Sequence, residues 1–215
     1  MKQLLFLVFT FLILYTPLRA QEVEYGIKAG INLADVYSNN YLVPLDGSEG
    51  FRQRFPAKIV TKRQLGGWMN IPLNNKFSVQ PELLFTQKAW LPGDIEDAIT
   101  LHFNYLSLPL VMNYHLKNWR IAAGPEISFL INQYYSEEVF LFGDKSPFVK
   151  EQKLELGILA GASYHFQRWQ VGLRYNLDIT PFVSFEFVDV NGDPVDGDDL
   201  NHYHHGLQIS LGYRL

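Results

Sequence analysis

Three groups of residues could do chemistry. The stretch from Asp189 to His205 holds Asp189, Asn191, Asp193, Asp196, Asp198 and Asp199, then His202, His204 and His205. Carboxylate, amide and imidazole together are metal-ligand chemistry. The calcium-loop spacing is not met, because a loop opening at Asp189 puts Pro194 where its glycine belongs and Leu200 where its bidentate Glu belongs. The expected reading is a solvated surface loop, with the His-Tyr-His-His run as its transition-metal alternative. Second, Ser163 and His165 stand two residues apart, the pairing of a nucleophile with its base, but no nucleophile-elbow pattern surrounds Ser163. Third, Lys28, Glu82, Arg120, Glu126, Glu155, Arg174 and Arg214 recur on the polar side of otherwise apolar alternating segments. Charges of both signs there make either a translocation path or a plug of ion pairs. No catalytic, metal or cofactor residue is assigned from these groups, and the chain is not expected to be an enzyme.

Composition removes further classes. The 215 residues carry 18 Lys+Arg against 22 Asp+Glu, a formal charge of −4, with 47% hydrophobic and 15% aromatic residues. That is too apolar for a disordered chain and lacks the basic excess of a nucleic-acid binder. With no cysteine there is no disulfide, thiolate zinc site, iron–sulfur cluster or cysteine nucleophile. A Gly-rich phosphate loop between a strand and a helix is also absent, so nucleotide binding has no support. At the start, Lys2 precedes the apolar run Leu4–Tyr15, followed by Thr16, Pro17, Leu18, Arg19 and Ala20. Twelve residues are too few to cross about 30 Å of hydrocarbon as a helix but suit the apolar region of a secretory signal peptide. The expected organisation is therefore a leader over 1–20, cleaved after Ala20, and one domain over 21–215.

The elements that position the remaining residues have a period of two. Val23, Tyr25, Ile27, Ala29, Ile31 and Leu33 share one face, and Glu24, Gly26, Lys28, Gly30 and Asn32 the other. The same alternation runs through 77–88, with Leu84 as its exception, through 119–132, and through three segments from Leu154 to Leu215. Two less regular segments, Gln64–Ile71 and Leu101–Tyr114, bring the count to eight strands. Short links at 72–76, 115–118 and 167–168 alternate with long ones over about 35–62, 89–100, 134–150 and 180–204. Three tight turns at one end and four long loops at the other predict an all-β, antiparallel, up-and-down, eight-stranded transmembrane β-barrel with short periplasmic turns and long outer loops.

Alternation alone also fits a soluble calyx with its oily face inward. Three features favour lipid outside. The polar face is rich in glycine, which suits a crowded narrow interior. Charges of both signs share that face and can pair inside. Aromatic residues of the oily parity, Phe77, Tyr114, Trp119, Phe166, Trp169 and Tyr213, gather beside the short turns as an interfacial girdle. An eight-stranded barrel leaves a bore just wide enough for side chains, so the charges are expected to form a plug and the protein to conduct poorly or not at all. The segment 35–62 mixes Tyr37, Tyr41, Phe51 and Phe55 with Arg52, Arg54, Lys58 and Lys62. It is expected either to contact lipopolysaccharide phosphates or a protein partner, or to fold over the barrel mouth.

The segments GIKAGINLA (Gly26–Ala34), QPELLFTQK (Gln80–Lys88), YLSLPLVMNY (Tyr105–Tyr114), AAGPEISFL (Ala122–Leu130) and LRYNLDIT (Leu173–Thr180) resemble the Bacteroidetes outer-membrane β-barrel domain family, often called PorT-like. The resemblance spans nearly the whole domain. It implies an eight-stranded barrel of the cell outer membrane, inserted by the barrel-assembly machinery, with no cofactor. The expected function is a structural or interaction role through the extracellular loops. Small-solute, porin-like transport and an accessory role in protein secretion are the alternatives. The expected partners are outer-membrane lipid, lipopolysaccharide and a protein at the outer loops, with no nucleic acid among them.

Overall fold

The computed structural model describes residues 22–38, 59–90, 100–135, 149–185 and 200–215. The leader over 1–20, most of the basic aromatic segment and the acidic run 189–199 lie outside them. Ten strands occur among the described residues: β1 (Glu24–Ser38), β2 (Val60–Pro72), β3 (Phe77–Trp90), β4 (Leu101–Leu116), β5 (Trp119–Tyr135), β6 (Val149–Glu151), β7 (Leu154–Phe166), β8 (Trp169–Asp178), β9 (Val183–Phe185) and β10 (Leu200–Arg214). Eight are long, and each pairs antiparallel with its neighbour in the order β1-β2-β3-β4-β5-β7-β8-β10. The β1–β10 pairing, from Gly26 opposite Arg214 to Ser38 opposite His202, closes them into an eight-stranded barrel without a free edge. The membrane is crossed by these strands; among the described residues no helix is long and apolar enough to do so.

The period-two pattern becomes an inside and an outside. In β3 the side chains of Ser78, Gln80, Glu82, Leu84 and Thr86 are buried, while Phe77, Leu83 and Phe85 are exposed. Ile121, Ile127, Leu173 and Ile209 stand 50%, 39%, 48% and 40% exposed, so the oily row faces outward and the soluble-calyx alternative is excluded. The aromatic girdle at the turn end exists as contacts: Phe77 against Tyr114 at 5.1 Å, Trp119 against Tyr164 at 5.1 Å and Trp169 against Tyr213 at 4.9 Å between centroids.

Apolar side chains also turn inward, Trp68 and Leu84 among them, and glycine makes room for the first. Trp68 is 5% exposed; its indole lies where a Cβ on Gly26 would sit, 2.6 Å from that position. This explains the irregular look of 64–71: Gln64, Trp68 and Asn70 face the bore, and Leu65 and Met69 face out. Leu84, the exception to its strand's pattern, is 1% exposed.

The tight links are chemically explicit. In the 73–76 turn, Asn74 Oδ1 accepts from the backbone N–H groups of Lys76 at 2.8 Å and Phe77 at 3.0 Å, an Asx-type turn. Lys117 and Gln167 open the other two turns with φ of 55°, a conformation side chains adopt at a cost. At the loop end the strands run further than the sequence pattern indicates: β1 continues to Ser38, β2 starts at Val60, β5 reaches Tyr135 and β10 starts at Leu200. There the barrel carries a small extension, β9 pairing with β10 and β6 with β9. Between β4 and β5 the register slips at Asn104/Tyr105, leaving Ile131 of β5 as the extra residue. Beside the slip, Phe103, Asn104 and Tyr105 are three consecutive buried residues.

Candidate functional site: the barrel interior

The bore is filled in levels, each built from side chains that alternation turns inward. At the turn end, Glu24 binds two guanidiniums, Arg120 at 3.0 Å and Arg214. Ser78 donates to Asn70 Oδ1 at 2.6 Å and touches His115 Nε2 at 2.8 Å, and Asn113 donates to Gln80 at 3.2 Å. Ser163 Oγ and His165 Nε2 are 3.0 Å apart, so the pair read from sequence is brought together. Among the described residues no carboxylate hydrogen-bonds that imidazole, so the orienting third member of a hydrolytic triad is not supplied.

In the middle, Glu82 is the hub. Arg174 grips it as a two-pronged fork, Nη1 to Oε2 at 2.9 Å and Nη2 to Oε1 at 2.8 Å, and the Lys28 ammonium binds the same carboxylate. Gln80 adds a fourth bond at 2.6 Å. Glu126 is held by neutral donors, Asn176 at 3.1 Å and Ser128 at 3.2 Å. Three strands, β1, β3 and β8, therefore converge on one point, and Gly161 lets β7 pass close to Arg174, 2.7 Å separating a Cβ built there from the Arg174 Cα.

Nearer the loop end a second centre forms. The Lys88 ammonium donates to Glu155 at 2.8 Å and to Asp178; Tyr105 donates its hydroxyl to Glu155, and His204 Nδ1 lies 3.3 Å from the same carboxylate. Glu155, Asp178 and His204 bring their ligand atoms within 4.8 Å of one another, a geometry open to a metal ion. Lys88 already bridges both carboxylates and supplies the positive charge a metal would bring. Above this centre the bore ends in rings. Phe182 stacks on His204, meets Phe103 edge-on at 5.1 Å and Trp90 edge-on at 6.0 Å, while Trp90 tilts against His202 at 4.7 Å. Phe182 is brought in because its N–H donates to His202 O and its carbonyl accepts from Gln152 N–H, tying the 179–182 segment across the mouth.

Of the seven charges picked out by sequence, Lys28, Glu82 and Arg174 meet in one centre, Glu155 anchors the other, and Arg120 and Arg214 share Glu24. Glu126 lies between the centres. Glu24, Lys88, Asp178 and Tyr105 were not singled out, although strand parity alone turns Lys88 and Asp178 inward. The imidazole cluster needs a correction. His202, His204 and His205 lie on strand β10, not in a loop, so the first two face inward and His205 faces out to Asp35 at 3.7 Å and Tyr175 at 3.0 Å. Strand alternation separates His204 from His205, and the three cannot converge on one ion.

A closed antiparallel barrel with an oily exterior, an aromatic girdle and an ion-paired bore is a transmembrane β-barrel. Residues 19–184 match the family model of the outer membrane protein beta-barrel domain; the chain belongs to that family and is a protein of the cell outer membrane. Among solved structures, Ail, the attachment invasion locus protein of Yersinia pestis, in complex with the heparin analogue sucrose octasulfate, is 14% identical over 91% of this chain and 100% of its own, with a TM-score of 0.45. Neisserial surface protein A is 13% identical over the same shares, with a TM-score of 0.44. The E. coli outer membrane protein W is 16% identical over 88% of this chain and 97% of its own, with a TM-score of 0.37. No curated protein matches the chain.

Proposed function

We propose that the protein is a non-enzymatic, non-conducting membrane scaffold that acts through the segments presented at its loop end. One observation carries this reading: at successive heights the bore is occupied by Glu24 with its two arginines, by the Glu82 centre, by the Lys88 centre and by the ring of Phe182 and its neighbours. A solute path would have to displace buried ion pairs, each expensive to separate in a low-dielectric interior. In this reading the leader over 1–20 directs export, the barrel-assembly machinery inserts the domain, lipid and lipopolysaccharide surround it, and a protein partner meets the outer segments. The finer kinship with PorT-like barrels, resting on the segments quoted above, belongs to the same proposal.

The test is single-channel recording of the refolded protein in planar bilayers, with insertion verified by heat-modifiable gel mobility. The expected record is silent. Stable, reproducible open steps from the unaltered protein would overturn the scaffold reading in favour of transport.

A further inference from the structure

On four neighbouring strands the oily exterior stops along one line. Leu65, Phe85, Leu106 and Phe129 stand side by side in register on β2 to β5, all of them exposed. A strand face repeats every second residue, so the next position toward the loop end on that face is Arg63, Gln87, Asn104 and, past the extra residue Ile131, Asn132. One repeat further on, His102 of β4 pairs with Tyr134 of β5. An apolar row is thus followed directly by a cation and three amides on the outside of the barrel.

The amides form a chain with a direction. Gln87 Nε2 donates to Asn104 Oδ1 at 2.9 Å, and Asn104 Nδ2 donates to Asn132 Oδ1 at 2.6 Å. The chain ends on exposed Asn132, whose own amide N–H groups remain free to donate among the described residues. At the other end, Arg63 is exposed and Lys62 Nζ lies 2.7 Å from His102 Nδ1. The ammonium only donates, so Nδ1 accepts and the imidazole keeps its proton on Nε2, a further donor. His102 in turn stacks on Tyr134, their centroids 4.7 Å apart. Among the described residues neither Lys62 nor Arg63 meets a carboxylate. The two cations also stand where β2 and β3 part: their register ends at Gln64 opposite Thr86, although β2 continues to Val60 and β3 to Trp90.

The other wall of the barrel is different. There Tyr37 stacks on Tyr203 at 5.0 Å, Tyr175 bonds His205, and the charge beside them is the carboxylate of Asp35. An anion is repelled by that wall and attracted by the wall of β2 to β5. We propose that Lys62, Arg63, Gln87 and Asn132 mark a docking site for the phosphorylated sugar headgroup of lipopolysaccharide. A phosphate sits at Lys62 and Arg63, where charge-assisted hydrogen bonds are strongest. Sugar hydroxyls follow the amides, and acyl chains lie on the apolar row from Leu65 to Phe129. Three strand spacings make the belt about 14 Å wide, a span for a disaccharide and not for the small headgroup of a phospholipid. The site rests on the reading that the loop end faces outward, and it is independent of whether the bore conducts.

The test titrates the refolded protein in neutral detergent with lipid A carrying both phosphates, dephosphorylated lipid A, and phosphatidylglycerol, read by native mass spectrometry. Phosphorylated lipid A should bind saturably, and the other two about tenfold more weakly or worse. Arg63→Gln and Lys62→Gln should each weaken lipid A binding about tenfold, Arg63→Lys should recover much of it, and Lys76→Gln in the 73–76 turn should change nothing. Heat-modifiable mobility identifies folded variants. Should Lys62→Gln not fold, Asn132→Asp takes its place, since it keeps the acceptor for Asn104 and puts a carboxylate where the amide donated. The formal charge of the chain is −4, so attraction of anions to the whole molecule is not expected. Equal binding of phosphatidylglycerol, equal losses at Lys76 and Arg63, or lipid A binding indifferent to Arg63→Gln would each overturn the proposal. Orientation is checked apart: Lys76→Cys, the single cysteine of such a chain, should react with a membrane-impermeant maleimide only after cells are broken. Reaction in intact cells would overturn the outward loop end whatever the titrations give.

Discussion

Phe182 lies flat on His204, their ring centroids 3.9 Å apart and their planes 22° from parallel. The pair is the seam between an apolar lid and a charged interior: above it are Phe103 and Trp90, below it Glu155, Asp178 and Lys88. Because Phe182 is 3% exposed, truncation leaves a cavity that its rigid neighbours cannot fill. Phe182→Ala should lower unfolding free energy by about 3 kcal/mol, measured by urea titration of the barrel folded into lipid vesicles. A loss under about 1 kcal/mol would show that the ring does not pack as described.

The Glu82 centre predicts an order of effects. Glu82 answers two cations, so Glu82→Gln strands both Lys28 and Arg174 in the bore, whereas Arg174→Met leaves Lys28 and Glu82 as a matched pair. The first substitution should cost about 3–5 kcal/mol and the second distinctly less. The same urea titrations rank them, and the reverse order would refute the hub role of Glu82.

Gly26, opposite Trp68 in register, faces the bore, whereas Gly67, opposite Ile27, faces out. A Cβ on Gly26 would fall 2.2 Å from Tyr213 O and 2.6 Å from the Trp68 ring, while one on Gly67 would meet nothing nearer than Gly26 O at 3.5 Å. Gly26→Val should therefore abolish the compact, heat-modifiable band, and Gly67→Val should retain it. Equal behaviour of the two variants would contradict the inward seat of Trp68.

On the outer face, depth decides tolerance. Leu173→Lys, in the middle of β8, places a charge in the hydrocarbon and should cost about 2–4 kcal/mol; Tyr213→Lys, in the girdle, should cost about 0–1 kcal/mol. Refolding yields and urea midpoints in vesicles of defined thickness would measure both.

Much of this architecture is legible in the chain because one face of each strand is oily and the other is not. Ile121, Ile127, Leu173 and Ile209 announce their direction by parity alone, and Phe77, Trp119 and Trp169 announce where the bilayer ends. The hubs are harder to read. Parity says that Lys88 and Asp178 face inward but not at what height, and their meeting depends on the stagger of strands 90 residues apart in sequence. The strand ends beyond the bilayer are harder still: Tyr203, His204 and His205 offer no oily-polar contrast, so β10 looks like a loop there. Trp68 breaks the pattern outright, and only the missing side chain of Gly26 on the neighbouring strand accounts for it.

The carboxylate of Glu24 joins β1 to the guanidinium of Arg214, 190 positions further along the chain. Along that same seam the first strand zips to the last over thirteen successive residue pairs. Closure of the cylinder is therefore the most non-local event in the molecule and must come late, since the loop to be closed is almost the entire polypeptide. Until β10 arrives, the inward edge of β1 offers unpaired N–H and C=O groups, and Glu24 lacks one of its two cations. The seam thus acts as a record of completeness: only a polypeptide made through Arg214 can satisfy both.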